Sequence, residues 1–540
     1  METKKSKPNF RERLLFAFSP DKGNQAYRKR LIAENEQQKA EPRKDDGPKM
    51  SATGYGNHGA STTLNSMIGW LVGGGSAEDD IDLQSSTLRK RARDLYAGGG
   101  VARSGPATLV TSVVGWGIQP KPKIDAEFLK LSDEKASEWE RNTLREFNLW
   151  AESVMCDAER QLNFYALQEL AFRSQLMSGD CFVLFGMKEN KRTPYQTTIR
   201  ILEADRIATP GASGDSQSEE TSSGGRIIDG VEIDKDGAVI RYHVTNRHPL
   251  SESATESIED VPIDAFGKDT GYPNILHLMS HERPEQRRGI PFVAAQIEKI
   301  KQLDRYINSE LAANVVSSML TAFLESEEDH GISALQDAVN EDEKVSDDEL
   351  NIELAPGAVF ELPPGVKVKD VNPIRSNTAF EAFVTTLFTI IGSSMGIPKE
   401  VLIKKYDSNY TAARGALLDF WREVRVYRTR FNDAFNQPIY EQWLAEAVAA
   451  GHIEANGFFD DPAIRRAWCG CLWMGAAMGH VNPIQEVNAA EKRIKNNITT
   501  EEQEAAEYNG NDWSANIVQR KKEIYANSEM NAGGKQNAKS

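Results

Sequence analysis

A long amphipathic helix, predicted at residues 288–326, constrains the fold of this chain more than any other feature. Gly289 and Pro291 stand at its start, where the missing N–H of proline costs no hydrogen bond. Apolar residues then recur every three or four positions, the period of one helical face: Ile297, Ile300, Leu303, Ile307, Leu311 and Val315. No glycine or proline follows up to Ser326, so the sequence predicts a rod of about 50 Å.

The next segments are an acidic, strand-containing insert and two more helices. Residues 327–376 include the run NEDEKVSDDEL and the strand-like pieces NIEL, AVFEL and VKVKDV, which are separated by proline–glycine turns. The second helix is predicted at 377–395, where Gly396 and Pro398 end it. A polar link at 396–410 leads to a third helix, rich in aromatic residues and arginines. The order predicts two long helices joined by a small β-containing insert.

Three phrases in this region resemble the lambda-type family of tailed-phage portal proteins. They are ERPEQRRGIPFVAAQIEKIKQLDRY at 282–306, LAPGAVFELPPGVKVKDVNPIRSNTAFEAF at 354–383 and NYTAARGALLDFWREVRVYRTRF at 409–431. Each phrase is long and unusual in composition, so chance is a poor explanation. The resemblance extends over about 54–525 and is weakest at 211–269 and 331–350.

The resemblance implies an α+β portal fold with an α/β wing, a two-helix stem, a small β-containing clip and a helical C-terminal crown. On this chain the implied segments are a basic and polar, partly disordered arm at 1–59, the wing at 60–287, stem helix 1 at 288–326, the clip at 327–376, stem helix 2 at 377–395, the tunnel loop at 396–410, a long helix and return to the wing at 411–480, crown helices at 481–526 and a disordered tail at 527–540.

The residues of the implied wing independently predict an α+β domain, because helical patterns are followed by a group of strands. Leu88–Tyr96 predicts a basic helix, and aromatic residues stand at helical spacing between 131 and 177. Ala107–Ile118 carries a β-branched run that ends at a Gly-Trp-Gly turn. Strands are predicted at 178–185, 197–207, 226–234, 238–246 and 274–280.

Composition and charge limit the classes of function. No run approaches the roughly 18 apolar residues of a membrane span, and the N-terminus lacks the apolar region of a secretory signal. Four cysteines in 540 residues are too few for a disulfide scaffold and indicate a reducing cytoplasm. The formal net charge of −16 argues against tight, static binding to nucleic acid. A DNA channel of this charge would let its cargo slide, because each lysine or arginine held on a phosphate adds affinity.

Matches to catalytic motifs are weak in their context. Residues 392–396 fit the hydrolase pattern G-x-S-x-G around Ser394, but the residues before it have helical rather than strand periodicity. Ser394 is therefore interpreted as a polar residue at a helix end. No G-x-x-x-x-G-K-[ST] phosphate-binding loop occurs in the chain. The sequence predicts no catalytic residue, no cofactor and no enzyme activity.

Two groups of cysteine and histidine residues also lack the spacing of metal sites. Cys469 and Cys471 are separated by one residue, unlike the usual zinc pair, and lie among tryptophans, so buried thiols are favoured over a site with His452 and His480. The histidines of HLMSHE, His277 and His281, lack the order of a zinc protease motif, and packing or surface roles are favoured. No metal-binding residue is predicted.

The resemblance implies a ring, usually a dodecamer, at one capsid vertex, whose channel carries DNA during packaging and ejection. The implied partners are further copies of the chain, double-stranded DNA, the terminase large subunit, head-completion or adaptor proteins, and the major capsid and scaffold proteins, with no membrane. Assembly would take place in the host cytoplasm and the product would be part of the virion. Two alternatives stay open: another ring or adaptor component of a virion, and a serine hydrolase that uses Ser394.

The resemblance also assigns candidate residues to these segments. The tunnel loop offers contacts to DNA: Lys399, Lys404, Lys405, Tyr406 and Asn409. The clip offers acidic docking residues for terminase or adaptor: Glu327, Glu328, Asp329, Glu341, Asp342 and Glu343. The third helix offers arginines for salt bridges between subunits, with a DNA-facing stripe as the alternative: Arg414, Arg422, Arg425 and Arg428.

Overall fold

The computed structural model describes residues 73–211, 218–220, 224–251, 257–318, 322–326, 366–370, 379–406, 410–477, 483–509 and 513–537, together with residues 26, 29, 30, 65 and 66. The chain divides into two compact units, Met1–Gly74 and Gly75–Ser540. All elements below belong to the second unit. Apart from those isolated residues, the basic arm predicted at 1–59 lies outside the described residues.

The second unit begins with helices. A single turn, α1 (Ala77–Asp80), precedes α2 (Ser85–Gly98), α3 (Gly100–Val113), the short strand β1 (Gln119–Pro122), α4 (Asp133–Ala151) and α5 (Phe164–Ser178). Gly99 joins α2 to α3 with a φ of 86°, which glycine adopts without strain. The basic helix predicted at 88–96 is confirmed within α2. The β-branched run at 107–118 is helical up to Val113, because Leu109, Val110 and Val113 lie on one buried helical face.

Two antiparallel sheets follow. The first has the order β3-β2-β9, with β2 (Asp180–Met187) between β3 (Thr197–Glu203) and β9 (Ile275–Met279). The second has its strands in chain order: β4 (Ser218–Glu220), β5 (Arg226–Ile228), β6 (Val231–Ile233), β7 (Val239–Thr245) and β8 (Asp260–Asp264). The strands predicted between 178 and 280 are confirmed. The one predicted at 226–234 is a hairpin, because Asp229 and Gly230 form its turn with positive φ values.

The helix predicted at 288–326 is shorter than expected. After one 3₁₀ turn at Ala294–Gln296, α6 covers Ile297–Ser318, or about 33 Å. Residues Ala322–Ser326 form β10 instead, which pairs antiparallel with β11 (Val366–Asp370). Serines 317 and 318 are weak helix formers, and the strand gains a complete ladder with the VKVKD segment. The strand predicted at VKVKDV is confirmed, whereas NIEL and AVFEL lie outside the described residues.

The second and third predicted helices are confirmed as α7 (Phe380–Ser394) and α9 (Tyr410–Phe431). Gly396, with a φ of 66°, follows the end of α7. The link between them was expected to be polar, but it contains α8 (Lys399–Ile403), whose Val401 and Leu402 are buried. The carbonyl of Leu402 accepts a hydrogen bond of 2.7 Å from Ser104 Oγ. The first half of the link is therefore packed on α3.

The chain then returns to the first helices. A π turn at Asn432–Asn436 continues α9 into α10 (Gln437–Ala449), and α11 (Pro462–Trp468) and β12 (Cys471–Met474) follow. Trp443 is buried against Phe147, with ring centroids 4.9 Å apart, and β12 pairs with β1. Residues 437–474 and α4–α5 thus share one hydrophobic core.

The last elements are α12 (Pro483–Lys495), α13 (Glu501–Asn509) and α14 (Trp513–Asn537). They agree with the helices predicted at 481–526. Helix α14 continues to Asn537, into the tail at 527–540 that the sequence predicts to be disordered. No helix in the described ranges has the length and apolarity to span a bilayer.

Candidate functional site

A fully buried guanidinium, that of Arg288, ties the segment before α6 to both sheets. Its Nε lies 2.7 Å from Asp180 Oδ2 in β2, and its Nη1 lies 2.9 Å from Asp229 Oδ2 in the β5–β6 turn. It also donates to the carbonyl oxygens of Ala204, Ile207 and Asp229. Burial alone would raise the pKa of Asp180, but the charge of Arg288 outweighs it and holds that pKa well below its usual range.

Asp82 approaches the same segment from the N-terminal helices. Its carboxylate accepts the backbone N–H of Arg287 at 3.2 Å and that of Arg288 at 2.9 Å. Burial raises the pKa of Asp82 to about 6 in spite of these two bonds. Gly289 is required beside them, because a Cβ there would lie 2.0 Å from the carbonyl oxygen of Gly179. The run Arg287–Gly289 is therefore fixed in position by its own backbone.

Two arginines of the basic helix α2 extend this network inward. Arg89 is buried, with Nε 3.3 Å from Asp205 Oδ1 and Nη1 3.4 Å from Asp229 Oδ2. Arg93 pairs with the other oxygen of Asp205. The Arg-Arg-Gly run is part of a family phrase in the sequence, and its residue types alone do not predict this buried network. The unusual charge density just before Gly289-Ile290-Pro291 was the available signal.

The apolar stripe of α6 is divided between the interior and the surface. Ile300 and Leu303 are buried, and Tyr306 packs on the rings of Phe380 and Phe383 in α7 at 5.7 and 5.0 Å. Further along the same face, Leu311 is 62% exposed and Val315 is 47% exposed. On α7, Phe383 and Ile390 are exposed too. An apolar surface therefore continues beyond the part of the two helices that packs within the chain.

The residues predicted for the tunnel loop lie at both ends of α8. Lys399 lines a shallow pocket with Asp419 and Glu423 of α9. Lys404 ends α8 with a φ of 55°, and it is exposed together with the next two residues, Lys405 and Tyr406. Lys405 Nζ lies 2.8 Å from Glu381 Oε1 at the start of α7. Asn409 lies outside the described residues, as do the predicted docking residues of the clip: Glu327, Glu328, Asp329, Glu341, Asp342 and Glu343.

The arginines predicted on the third helix are brought together in one groove, here called the arginine groove. It has a volume of about 770 Å³ and lies between α9, the segment 473–477 and helices α12 and α13. Its cationic lining is Arg414, Arg422, Arg425, Arg428 and Arg493. Its carboxylates are Glu486 and Glu504, and its aromatic rings are Trp421, Trp473 and Tyr508.

Several of these arginines have carboxylate partners within the chain. Arg493 and Glu504 form a bidentate pair with bonds of 2.7 and 2.6 Å. Arg414 Nη1 lies 3.7 Å from Glu486 Oε1. Arg422 pairs at 2.7 Å with Asp419 of its own helix, and both side chains are largely exposed.

Arg428 differs, because its partners are carbonyl oxygens. Its Nε donates to Val113, and its Nη2 donates to Ser112 and Ala476, at 2.7–3.0 Å. Burial, and secondarily the charge of Arg425, lowers the pKa of Arg428 to about 10. Within the part of the chain that the structure describes, no carboxylate forms an ion pair with it.

The residues of the candidate catalytic and metal-binding motifs have ordinary structural roles. Ser394 is the last residue of α7 and its Oγ donates to the Ile391 carbonyl at 2.8 Å, so its interpretation as a helix-end residue is confirmed. Burial raises the pKa of Cys469 to about 12. His277 stacks on Phe182 with ring centroids 4.2 Å apart. Among the described residues, no group of three potential ligands from His, Cys, Asp and Glu has metal-binding geometry.

Comparison with known proteins defines the class of this fold as that of phage portal proteins. Residues 63–428 match the family described as "Phage portal protein, lambda family", which is more than half of the chain. The chain belongs to the lambda family of phage portal proteins, and the resemblance stated from the sequence is confirmed. The family is one of structural virion components.

Individual relatives have the same name. The chain is 22% identical to the portal protein of Escherichia phage N15, over 87% of this chain and 89% of the relative. It is 22% identical to portal protein B of Escherichia phage lambda, over 80% of this chain and 82% of the relative. A probable portal protein of Halomonas phage phiHAP-1 is 24% identical over 62% of this chain and 61% of that one. The predicted function, that of a portal protein, is confirmed by these matches.

Solved structures with similar backbones come from gene transfer agent (GTA) particles. A chain in the neck of an empty particle has a TM-score of 0.42 and 14% identity, covering 67% of this chain and 82% of that one. A chain in the neck of a native particle, computed with C12 symmetry, has a TM-score of 0.40 and 14% identity, covering 71% and 93%.

Proposed function

We propose that this chain assembles into a closed ring of twelve copies at one vertex of a tailed-phage capsid, and that double-stranded DNA passes through the ring during packaging and ejection. The terminase large subunit docks on the clip during packaging, and head-completion or adaptor proteins replace it. The major capsid and scaffold proteins surround the ring, which assembles in the host cytoplasm. The chain itself catalyses no reaction. Membership of the portal family supports this proposal.

The structural observation that supports the ring is that the apolar face of α6 is buried over its first turns and exposed over its last turns. Leu311 and Val315 continue the helical face that Ile300 and Leu303 bury inside the chain. Contiguous apolar surface of this kind marks an interaction site. In a ring, the same helix of a neighbouring copy supplies the cover, since each copy presents the same surfaces. We assign α6 and α7 to the stem on this basis.

The tunnel loop and the clip follow from this assignment. Strands β10 and β11 pair with each other and lie between α6 and α7 in the chain. Most of the acidic segment that would form the clip is the stretch of sequence between these two strands. Lys404 and Lys405 would contact the phosphates of the translocating duplex. Two lysines per copy in an acidic chain would hold DNA weakly enough to let it slide, because affinity grows with every neutralised phosphate.

The α9 arginines have a different role in the proposal. The buried residues of α9 pack in the core, and four of its arginines line the arginine groove. We propose that these four, Arg414, Arg422, Arg425 and Arg428, form salt bridges between subunits. The alternative, a DNA-facing stripe, requires the arginine groove to open toward the channel. Arg428 makes three hydrogen bonds within its own chain.

The native mass of the purified chain, measured together with negative-stain images, tests the ring. The expected result is a mass near twelve times 60.0 kDa and a central hole in the class averages. A ring of thirteen would support a portal with a different copy number. A chain that remains monomeric at every concentration would contradict the proposal.

A further inference from the structure

We infer that the arginine groove receives a carboxylate-bearing segment of a second copy of this chain, and that Arg428 is the residue that binds it. The inference deepens the proposed ring and rests on it. It assigns a partner outside the chain to Nη1 of Arg428, the guanidinium nitrogen that takes part in none of the described hydrogen bonds of this residue.

The first argument is the charge of Arg428. Its described hydrogen bonds use Nε and Nη2, and all of them go to backbone carbonyls of Ser112, Val113 and Ala476. A half-buried guanidinium without a nearby carboxylate carries a desolvation cost that an incoming anion would offset. Arg425, on the same lining, adds repulsion between like charges, which an anion bound at Arg428 would offset.

The second argument is that Arg428 is held in position. Gly475 lies directly beneath it, since a Cβ at that residue would lie 2.5 Å from the Arg428 Nε. The Cζ of Arg428 also lies 5.8 Å from the centre of the Trp421 ring. A guanidinium that is fixed before binding loses little side-chain entropy when a ligand arrives.

The size and composition of the groove favour a protein segment over a nucleic-acid duplex. A volume of about 770 Å³ suits a small ligand or a few side chains. A duplex is too large to enter a groove of this size, because its major groove alone is about 12 Å wide. Tryptophan, tyrosine and arginine are the residues that most often dominate the energy of protein interfaces, and Trp421, Trp473 and Tyr508 all line the groove.

An exposed tryptophan adds to this surface. Trp116 is 70% exposed on a turn between Gly115 and Gly117, which both have positive φ values. A Cβ at Gly115 would lie 3.0 Å from the Cβ of Ala476, so the turn packs against the groove lining. The turn that carries Trp116 therefore lies beside the arginine groove.

Charge complementarity favours a second copy of the chain as the occupant. The chain has 80 acidic and 64 basic residues, so the surfaces of another copy are rich in carboxylates. The groove has the opposite balance, with five arginines against two glutamates on its lining. In a ring, every copy would offer both the groove and a segment to fill it, and the contact would close on itself.

A photo-crosslinking residue at position 508, replacing Tyr508, tests the occupant in the assembled ring. Chains labelled with ¹⁵N are mixed with unlabelled chains before assembly, and crosslinked peptides are analysed by mass spectrometry. We expect peptide pairs of mixed isotope content, in which the partner peptide contains Asp or Glu. Pairs from one isotope only, or crosslinks to nucleic acid, would overturn the inference.

The variant Arg428→Gln tests the role of the guanidinium, with Arg430→Gln as its matched control. Arg430 carries the same charge on the same helix, is exposed and does not line the groove. We expect Arg428→Gln to raise the concentration at which rings dissociate by about 30-fold or more. This concentration should also depend less on salt in the variant than in the unmodified chain. Arg430→Gln should have little effect on either quantity. The melting temperature of the dissociated chains shows whether the fold is intact.

The two proposals fail in different ways. If the unmodified chain never forms rings, the proposed function fails. If it forms rings, and Arg428→Gln assembles as readily as Arg430→Gln, only the groove inference fails. If Arg428→Gln does not fold, the crosslinking result on the otherwise unmodified chain decides.

Discussion

Arg288 shows at the residue scale how much of this fold depends on one side chain. It is buried completely and bonded to the Asp180 and Asp229 carboxylates, and it also binds three carbonyl oxygens. Removing one partner of a buried ion pair leaves the other charge without compensation, which costs more than the pair itself contributes.

We therefore expect Arg288→Met to lower the free energy of unfolding by about 3–5 kcal/mol. The matched control is Arg283→Met in the same run of residues, because Arg283 and its partner Asp80 are both half exposed. Its loss should cost about 1 kcal/mol or less. Chemical denaturation of the dissociated chains measures both values. Equal effects of the two substitutions would contradict the assigned role of Arg288.

Asp82 makes the stability depend on pH in an unusual direction. Its pKa is about 6 in the folded chain against an ordinary value of 3.8, so between these values the folded state binds a proton that the unfolded state has lost. The contribution of this group to stability therefore falls as pH rises from about 4 to 6. At neutral pH the cost is on the order of 3 kcal/mol.

Asp82→Asn, which cannot titrate, should gain stability relative to the unmodified chain as pH rises from 4.5 to 7.5. The measurement is the difference in melting temperature between the two proteins across this range. Asp80→Asn is the control, because the Asp80 carboxylate is half exposed in an ion pair with Arg283. A difference that does not change with pH would contradict the burial of a carboxylate at Asp82.

At the scale of elements, α6 combines two roles in one helix. Its first turns pack in the core of the chain, and its last turns present Leu311 and Val315 to the surface. The periodicity of the stripe is continuous, so the sequence alone does not show where the chain stops covering it.

The double variant Leu311→Asp, Val315→Asp should form folded monomers instead of rings. Charges at these positions would be desolvated in the proposed contact between copies, but they are solvated in the isolated chain. Ser309→Asp is the control, because Ser309 is exposed on the opposite side of α6. Native mass spectrometry and circular dichroism measure assembly and helix content. Normal rings from the double variant would exclude this face as the subunit contact.

The molecule as a whole is acidic, and this sets what its few exposed lysines can do. With a net charge of −16, the chain would repel a duplex over most of its surface. Lys404 and Lys405 are exposed next to each other at the end of α8. Cations at such a place would hold DNA transiently without trapping it.

Substituting both lysines with glutamine should reduce the DNA packaged per particle several-fold, measured as nuclease-protected DNA. Because Lys405 pairs with Glu381, the variant Glu381→Gln separates loss of that ion pair from loss of cationic charge. We expect the control to package normally. Unchanged packaging by the double lysine variant would show that these residues do not contact DNA.

The sequence by itself determined the elements whose signals are local. The strands between 178 and 280, the helices α7 and α9 and the family phrases all depend on residue types within short windows, where periodicity, turn residues and caps act. The hairpin at Asp229-Gly230 was within the strand predicted at 226–234, but its two-residue turn was not recognised. The end of α6 was misplaced because strand pairing with residues 366–370 outweighs helical periodicity after Ser318.

Only the tertiary structure decided which charged residues are buried and which surfaces are incomplete. Arg288 and Asp180 are 108 positions apart, and Arg428 and Ser112 are 316 apart. Nothing in either local sequence shows that these residues meet. The energy of a buried charge depends on the partners that the whole fold places around it, so burial and pairing cannot be read from residue type or spacing. The same dependence made α8 a packed helix inside a link that its polar residues predicted to be a loop.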